Sequence, residues 1–263
     1  MNKSKTLLIA ITSAGIATSS VLAGDVDKTI MEEVPSPSSK LSGSISIDLN
    51  SHFMSYGADV WGAGSSATRS ATLNPSISID YALSESVTIT SGFWLDANDN
   101  PAGSDNKVQE TDVWLGVSYA SGIVTYSAVW QNWQYGGDSE QILDLAVSFD
   151  TFLSPSITLH KRLTEGASGG FDGTFAVLGL EKSFDINDKL SLSIPFAIGF
   201  ALDDFHTTET GYGYASLGLQ GSYAISNSTS FNAGITLYDN DQDITNATAD
   251  NYFTYNAGFS YSF

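Results

Sequence analysis

The sequence predicts an all-β fold: a transmembrane antiparallel up-and-down β-barrel of about 12 strands, with short periplasmic turns and longer extracellular loops. Three observations predict it. Apolar and polar residues alternate with a period of two from residue 43 to the end of the chain. Short and long connections alternate between the predicted strands. The chain also ends on the strand-like segment NAGFSYSF, residues 256–263.

The first 23 residues have the features of a cleaved signal peptide. Lys3 and Lys5 form a positive head, the mostly apolar stretch 7–17 follows, and Val21 to Ala23 offers the small-x-small pattern of a cleavage site. The alternative, a buried first helix, does not account for these features occurring in this order. We therefore predict that residues 1–23 are removed on export.

The domain organisation follows from the Pro/Ser-rich stretch EEVPSPSSK, residues 32–40, which precedes the alternating pattern. We interpret residues 24–40 as a flexible periplasmic N-terminal segment and residues 41–263 as the barrel. No later stretch has the composition of a linker, so one domain is expected.

The composition limits the classes of partner that the chain is expected to bind. Cleavage leaves 8 Lys and Arg against 29 Asp and Glu, a formal charge of −21, compared with −19 for the whole chain. Such acidity argues against nucleic acid as a partner and favours cations. The chain contains no cysteine, so it uses no disulfides even though an exported protein could form them.

The clearest predicted strand is KLSLSIPFAIGFAL, residues 189–202, in which seven consecutive apolar positions at period two share one face. About 9 to 11 tilted residues suffice to cross a bilayer. The same count along the chain predicts strands at about 43–54, 70–82, 86–96, 108–119, 123–133, 140–150, 155–164, 173–184, 189–202, 212–225, 229–239 and 251–263. An even number of strands places both chain ends on the side of the short turns, which is the periplasmic side.

A sheet in lipid cannot leave an unpaired edge, so the last predicted strand must pair with the first. Its apolar stripe then faces lipid; the stripe consists of Phe253, Tyr255, Phe259, Tyr261 and Phe263. Exposed aromatic rings are also expected in the interfacial girdles of the barrel; the candidates are Tyr81, Tyr119, Tyr126, Trp130, Tyr223 and Phe231.

Two segments resemble known outer-membrane proteins. The terminal FSYSF looks like the C-terminal signal that bacterial outer-membrane barrels present to their insertion machinery, which implies an assembly role for Phe259, Tyr261 and Phe263. The opening SISIDLNSHFMSYG, residues 44–57, resembles the first strand and loop of the TorF-type porins. This resemblance implies a bacterial outer-membrane β-barrel porin in a Gram-negative organism.

A soluble β-sandwich or solenoid would also alternate apolar and polar residues. Two packed sheets must fill a core from their apolar faces. Here the apolar faces are rimmed with aromatic residues, and the opposite faces carry mainly small and polar residues. A surface that is apolar outside and polar inside is what lipid requires, so the barrel is favoured.

The polar faces of the strands predict the lining of a lumen. We expect the pore to be lined by Asp48, Asp80, Asp112, Asp144, His160 and Arg162. Asp96 and Asp150 lie close to predicted strand ends and are interpreted as solvated rims. An excess of carboxylates along a pore favours cations. Two roles are open for Arg162: a charge at a constriction of the pore, or a structural ion-pair partner.

Small residues on the predicted lumen face argue for open space, although Trp94 and Trp114 also point inward and would narrow it. These small residues are Gly92, Gly116, Ala146, Ala197, Gly199, Ala201, Gly218 and Gly234.

No metal or other cofactor is expected. The weak metal candidates are Asp239, Asp241, Asp243 and Asp250, which occupy positions 1, 3, 5 and 12 of a calcium-loop register. Position 6 is Ile244 in place of the glycine that this register requires, so we interpret the segment as an acidic surface loop.

The chain is therefore predicted to be an outer-membrane porin, a passive diffusion channel for small hydrophilic solutes with a cation preference. Its expected partners are outer-membrane lipid, the insertion machinery and small solutes or cations. The alternatives are a plugged structural or surface-binding barrel, and a barrel enzyme such as a phospholipase. The surroundings of His52, His160 and His206 suggest no nucleophile and base together, so no enzymatic activity is expected.

Overall fold

The computed structural model describes residues 40–62, 71–99, 107–135, 137–164 and 172–263. The predicted signal peptide and all but the last residue of the N-terminal segment 24–40 lie outside the described residues. Within them the chain is almost entirely strand, as the alternating pattern predicts.

Twelve strands form the barrel wall, and two short strands form a hairpin inside it. The wall consists of β1 (Leu41–Asn50), β4 (Thr72–Ala82), β5 (Val87–Ala97), β6 (Val108–Ser121), β7 (Val124–Tyr135), β8 (Asp138–Phe149), β9 (Ser156–Arg162), β10 (Thr174–Asn187), β11 (Leu190–Ala201), β12 (Gly211–Ala224), β13 (Thr229–Asn240) and β14 (Asn251–Ser262). The inner strands are β2 (Met54–Ser55) and β3 (Ala58–Asp59), and one helical turn, α1 (Gln242–Thr245), lies in the last loop. No helix in the described part of the chain is long and apolar enough to cross a membrane.

The wall is a closed antiparallel barrel in which each strand pairs with its neighbours in the chain and β14 pairs with β1. The closing contact extends to the last residue. The backbone N–H of Phe263 donates to the carbonyl of Gly43 over 3.0 Å, and the N–H of Gly43 donates to the carbonyl of Phe263 over the same distance. The C-terminal aromatic residue is therefore held as part of the ring, which leaves no unpaired edge.

The outer face of the barrel is apolar. Phe253, Tyr255, Phe259, Tyr261 and Phe263 are all exposed on β14 and its end, as predicted, and Phe259 exposes 55% of its surface. Five of the six predicted girdle residues lie near the periplasmic ends of their strands; the exception is Trp130, which lies near the middle of β7. Exposed apolar side chains on every wall strand match a bilayer and leave no apolar outer face for a second sheet to cover. The protein is thus a multi-pass β-barrel of the outer membrane.

The first strand differs from its predicted bounds. The sequence predicts a strand over 43–54, but β1 ends at Asn50 and the chain then turns into the barrel. Residues 51–57 are all buried, whereas a continuation of β1 would expose every second side chain to lipid. We call residues 51–59 the inner hairpin. Phe53 falls by coincidence on the apolar phase of Ile45, Ile47 and Leu49, which explains why the prediction ran too far.

The glycines on the lumen face do not leave open space as predicted, because larger neighbouring side chains lie over several of them. A Cβ atom at Gly92 would lie 2.0 Å from the ring of Trp114, one at Gly199 would lie 2.4 Å from the ring of Tyr214, and one at Gly234 would lie 1.7 Å from the carboxamide of Gln220. The missing Cβ atoms therefore admit rings and amides, which occupy the space that the prediction left open at these positions.

This packing predicts that Gly92→Ala destabilises the barrel by about 1 to 3 kcal/mol, because the new methyl group overlaps the Trp114 ring and the carbonyl of Ile77. Gly221→Ala is the matched control, since its Cβ would meet its nearest neighbour at 3.4 Å, an ordinary contact. Urea unfolding of the refolded protein in lipid vesicles measures the free energy of unfolding of both variants. Equal stabilities of the two variants would show that the Trp114 ring and the backbone at Ile77 can both move aside at no cost.

Candidate functional site

The inner hairpin occupies the extracellular half of the lumen. It leaves β1 beside β14, where the N–H of Ser51 donates to the carbonyl of Tyr255 over 2.9 Å, and it crosses to the opposite wall. Phe53 packs against Trp94 of the nearby β5 with ring centroids 5.2 Å apart, and Tyr56 at the tip packs against His160 of β9, six strands around the ring from β1, at 4.6 Å. The hairpin therefore spans the barrel from one side to the other.

The tip of the inner hairpin is Tyr56-Gly57. Both residues have positive φ, 48° and 87°, as the central residues of a type I′ turn do. Positive φ is uncommon for a residue as large as tyrosine, so its surroundings must hold it there. A Cβ at Gly57 would lie 2.8 Å from the Asn240 carboxamide and 2.9 Å from the Cβ of Tyr214, which limits this position to glycine.

The Tyr56 side chain lies in a cage of rings and is only 1% exposed. Its centroid lies 4.6 Å from that of His160, 4.9 Å from that of Phe205 and 5.6 Å from that of Phe175, and its ring stacks on Trp133 at 5.9 Å. Edge and offset contacts of this kind stabilise beyond the area that they bury. The cage therefore fixes the hairpin in the lumen.

A second loop covers the inner hairpin from the extracellular side. It connects β11 to β12 and carries Phe205, which is fully buried. Arg162 of β9 holds this loop: its guanidinium lies 4.2 Å above the Phe205 ring and donates a hydrogen bond to the Phe205 carbonyl. Arg162 also pairs with Glu140 of β8 at 2.7 Å. This placement corresponds to the second of the two predicted readings, a structural ion pair.

A chain of hydrogen bonds runs from Tyr56 along the inner faces of β9, β8 and β7. The Tyr56 hydroxyl lies 3.3 Å from Nδ1 of His160, which lies 2.6 Å from Asp144. The second oxygen of Asp144 accepts from Gln131 over 2.5 Å, and Gln131 in turn accepts from the Trp133 indole over 2.8 Å. This chain joins β7, β8 and β9 to the hairpin.

Carboxylates are concentrated on the same side of the lumen, and we call their side the charged wall. It is formed by Asp96, Glu110, Asp112, Glu140, Asp144, His160 and Arg162. Asp96, predicted to be a solvated rim, is instead fully buried and accepts hydrogen bonds from Asn74 and Asn98. The predicted rim residue Asp150 is exposed in the turn after β8. Five acids face two bases here, so the wall is acidic.

The opposite side of the upper lumen carries amides and hydroxyls, and we call it the neutral wall. It is formed by β12, β13, β14, β1 and β4 through Gln220, Thr236, Thr254, Asn256, Asn50 and Asn74. Its groups bond to one another: Asn50 donates to Asn74 over 2.7 Å, and Gln220 donates to Thr236 over 3.4 Å. The lumen is thus divided by the inner hairpin into two chemically different sides.

Below the hairpin the lumen is a polar vestibule open to water. Its inward side chains are half-buried and mostly hydroxyls, among them Ser44, Ser46, Ser76, Ser78, Thr90, Ser118, Ser127, Ser148, Ser222 and Ser230. Asp48 and Asp80 face this vestibule from β1 and β4. Asp48 accepts from Ser46 over 2.7 Å, and the missing Cβ of Gly258 makes room for it.

The structure places the six predicted pore-lining residues at two levels. Asp48 and Asp80 are half-buried in the vestibule, while Asp112, Asp144 and Arg162 are no more than 2% exposed beside the hairpin, with His160 among them. The prediction missed the partners that bury them, above all Tyr56, Trp133, Phe175 and Phe205. One signal could have revealed these partners: Trp133 and Phe175 lie on faces that should be polar, and an inward aromatic residue must be covered by something.

The four acids of the last extracellular loop are not brought together. Asp239 accepts from the Tyr212 hydroxyl on the outer face, Asp241 caps α1 by accepting from the N–H of Asp243, and Asp250 accepts from Gln242. Among the described residues, no three histidine or carboxylate side chains are grouped as metal ligands. This loop instead turns Ile244 and Thr245 inward, where they close the extracellular end of the lumen.

Comparison with solved structures supports the fold. The barrel is similar to an outer-membrane channel from Pseudomonas putida F1, with a TM-score of 0.56 and 11% identity over 85% of this chain and 95% of that one. It is also similar to the NanC porin, with a TM-score of 0.50 and 10% identity over 82% of this chain and 98% of that one. The KdgM porin superposes with a TM-score of 0.48 at 8% identity, covering 84% of this chain and 99% of that one.

No protein-family model matches the sequence, and no curated protein matches it. The fold defines the class, a closed 12-stranded antiparallel β-barrel with an apolar outer face. The resemblance of residues 44–57 to the TorF-type porins stays a prediction.

The covering loop also contains a histidine that predicts a response to pH. His206 lies against the backbone of Ser55 and Tyr56, and burial, with the nearby Arg162 guanidinium as a second cause, lowers the pKa of His206 to about 3. Its ordinary value is about 6.5. The closed arrangement therefore has its full stability above about pH 6.5 and loses stability as the pH falls toward 3, because the exposed histidine binds a proton that the buried one cannot.

We expect the ionic conductance of the protein in a planar bilayer to rise as the pH is lowered from about 7 to about 4, by up to about tenfold per pH unit where opening is limiting. His206→Gln should flatten this dependence. His160→Gln, which keeps His206, should retain it. A conductance that rises with the same slope in His206→Gln would assign the response to another group.

Proposed function

We propose that the protein is an outer-membrane diffusion channel for small hydrophilic solutes with a preference for cations, and that the inner hairpin constricts its lumen. The observation that carries the proposal is the placement of acids along the inside of the barrel. Asp48 and Asp80 are half-exposed in the vestibule, and more carboxylates lie above them on the charged wall.

The charge balance supports a cation preference. The bases that face the lumen from the described strands are His160 and Arg162, and each already lies against a carboxylate, Asp144 and Glu140 respectively. The vestibule acids have no such counter-charge from the strands. A cation that enters from the periplasmic side therefore meets unbalanced negative charge, which raises its local concentration and repels anions.

A second candidate function, a plugged structural barrel, is favoured by a different observation. The inner hairpin and its aromatic cage bury nearly every described side chain at their level of the lumen. A barrel closed permanently in this way would stabilise the membrane or present its loops to a partner without conducting ions.

We propose transport in preference to catalysis. Tyr56, His160 and Asp144 form a hydrogen-bonded array of types that occur in active sites, but Tyr56 and Asp144 are each 1% exposed beneath the hairpin. A substrate could not reach them while the hairpin holds this array together.

Two further proposals rest on the sequence resemblances. The rings of Phe259, Tyr261 and Phe263 are exposed on the closing strand, where the insertion machinery could bind them as an assembly signal. Membership in the TorF-type porins is proposed on residues 44–57, whose first part is β1 and whose second part is the inner hairpin.

Single-channel conductance of the refolded mature protein in a planar bilayer with a salt gradient tests the channel. We expect discrete steps and a reversal potential on the cation side. If protein that is shown to be folded gives no steps at neutral or acidic pH, the structural barrel is the better description.

The source of the selectivity can be tested separately. Asp48→Asn with Asp80→Asn should move the reversal potential toward zero, because these acids contact the water of the vestibule. Asp150→Asn is the matched control, since this residue is exposed in a periplasmic turn outside the lumen. An unchanged reversal potential in the double variant would contradict a role for the vestibule acids.

A further inference from the structure

Two carboxyl groups of the charged wall lie next to each other on β6. Glu110 and Asp112 are two residues apart in a regular part of the strand, so both side chains point into the lumen. They are 6% and 0% exposed. Glu110 is the third residue of β6, at its extracellular end. The pair is therefore buried inside the barrel just below the extracellular loops.

The carboxylate of Asp112 has no hydrogen-bond donor. Neither of its oxygens accepts a hydrogen bond from any group that the structure describes. The group that faces it is the Glu110 carboxyl, and two ionised carboxylates can only accept. The indole of the adjacent Trp133 donates to Gln131 over 2.8 Å instead. Because a buried charge without a partner is costly, the pair requires a proton or a cation between its oxygens.

The basic side chains near this level of the barrel already have acidic partners. Their pairs are Arg162 with Glu140 at 2.7 Å, His160 with Asp144 at 2.6 Å and Lys107 with Asp99 at 3.5 Å. No described basic side chain forms an ion pair with Glu110 or Asp112. A counter-charge for these two acids must therefore come from outside the described strands and loops.

The charges around the pair match one divalent ion. Glu140 is neutralised by Arg162, and Asp96 accepts hydrogen bonds from two asparagine amides. Glu110 and Asp112 remain, with two formal negative charges between them. One shared proton would neutralise only one of these charges, whereas a divalent cation neutralises both.

A β-bulge places a carboxamide beside the pair. The ladder pairs Asp96 with Glu110 and Ala97 with Val108, which leaves Gln109 as the extra residue. Gln109 is only 7% exposed, so the consecutive residues Gln109 and Glu110 are both buried. A regular strand would turn one of them toward lipid. The bulge thus concentrates oxygen-bearing side chains at this point of the lumen.

We propose that Glu110 and Asp112 bind a divalent cation of the hard, oxygen-liganded class, such as calcium, between their carboxylates. Cations of this class prefer carboxylate, carbonyl and water oxygens. Only two acidic side chains meet here, so water completes the coordination, and we expect a dissociation constant on the order of 0.1 to 1 mM. The inference goes beyond the proposed channel function and does not depend on it, because a plugged barrel would hold the ion equally well.

The position of the pair links the ion to the inner hairpin. Asp112 lies opposite Trp94 of β5 and Trp133 of β7. These two indoles pack on Phe53 and Tyr56 of the hairpin, with ring centroids 5.2 and 5.9 Å apart. An ion that neutralises Asp112 removes the repulsion between the carboxylates behind these contacts. Ion binding should therefore stabilise the folded barrel.

The flanking indoles provide the readout of the test. Terbium occupies calcium sites and luminesces when a tryptophan close to it is excited. Refolded mature protein is treated with a chelator, freed of the chelator, titrated with terbium and then titrated with calcium as the competitor. An uncharged detergent is used, because lipid phosphates would bind the same ions.

Glu110→Gln with Asp112→Asn removes both charges and nearly preserves the side-chain shapes. Asp239→Asn with Asp250→Asn is the matched control, since it removes two acids from the last extracellular loop, where the acids are not grouped as metal ligands. We expect the sensitised luminescence to fall several-fold in the first double variant and to be retained in the second. Calcium should displace terbium from the wild-type protein.

Thermal unfolding supplies a second measurement. Calcium should raise the unfolding midpoint of the wild-type protein and of the loop control, but should leave that of Glu110→Gln with Asp112→Asn unchanged. Each protein is compared with itself in the presence and absence of calcium. The comparison therefore holds whatever the substitutions do to the stability of the ion-free barrel.

Two results would overturn the inference. Equal terbium luminescence in the wild-type protein and in Glu110→Gln with Asp112→Asn would place the bound ion elsewhere. A wild-type unfolding midpoint that does not respond to calcium would favour a proton shared by the two carboxyls.

Conductance in planar bilayers tests the channel function separately. Calcium binding by protein that does not conduct would keep the ion site and favour the structural barrel. Conductance without calcium binding would keep the channel and remove the ion site.

Discussion

The pairing of β14 with β1 is the contact on which the rest of the structure depends. Lipid offers no hydrogen bonds to an exposed strand edge, so the wall is stable in a membrane only as a complete ring. The exchange of two hydrogen bonds between Gly43 and Phe263 completes this ring at the last residue of the chain. Every other feature follows from enclosure: an apolar outer face, a separate interior and loops that can fold into it.

The enclosed interior is organised by the inner hairpin. One side of it packs rings and ion pairs against acids, and the other side leaves amides and hydroxyls beside a small cavity. Different interactions stabilise the two sides of the lumen. Aromatic contacts and the Arg162–Glu140 pair fix the hairpin on the charged side, whereas on the neutral side amides and hydroxyls bond to one another. The different chemistry of the two sides therefore follows from where the nine residues of the inner hairpin lie in the lumen.

The wall was predictable from the sequence because lipid and water impose the same alternation on every strand; most predicted strand bounds agree with the structure within two or three residues. The inner hairpin was not, because a loop that folds inward meets no periodic environment. Its residue Phe53 falls on the apolar phase of β1, so the predicted strand ran on to residue 54. The burial of Asp96 was missed for the same reason: whether a strand end is a solvated rim depends on what lies above it. The lumen-face glycines led to a wrong prediction of open space. The space left by a missing side chain either stays empty or is filled by a neighbouring side chain, and the fold of that neighbour determines the outcome.

The direct continuation of β1 into the inner hairpin has a consequence for biogenesis. The chain is made from its N-terminus, so the hairpin exists long before β14, the strand beside which it leaves the wall. Until β14 docks, the hairpin lacks part of the wall that buries it, and the lumen cannot exclude water around Tyr56. Seating of the inner hairpin therefore depends on ring closure, and a barrel that closed without its hairpin seated would leave the extracellular half of its lumen unfilled.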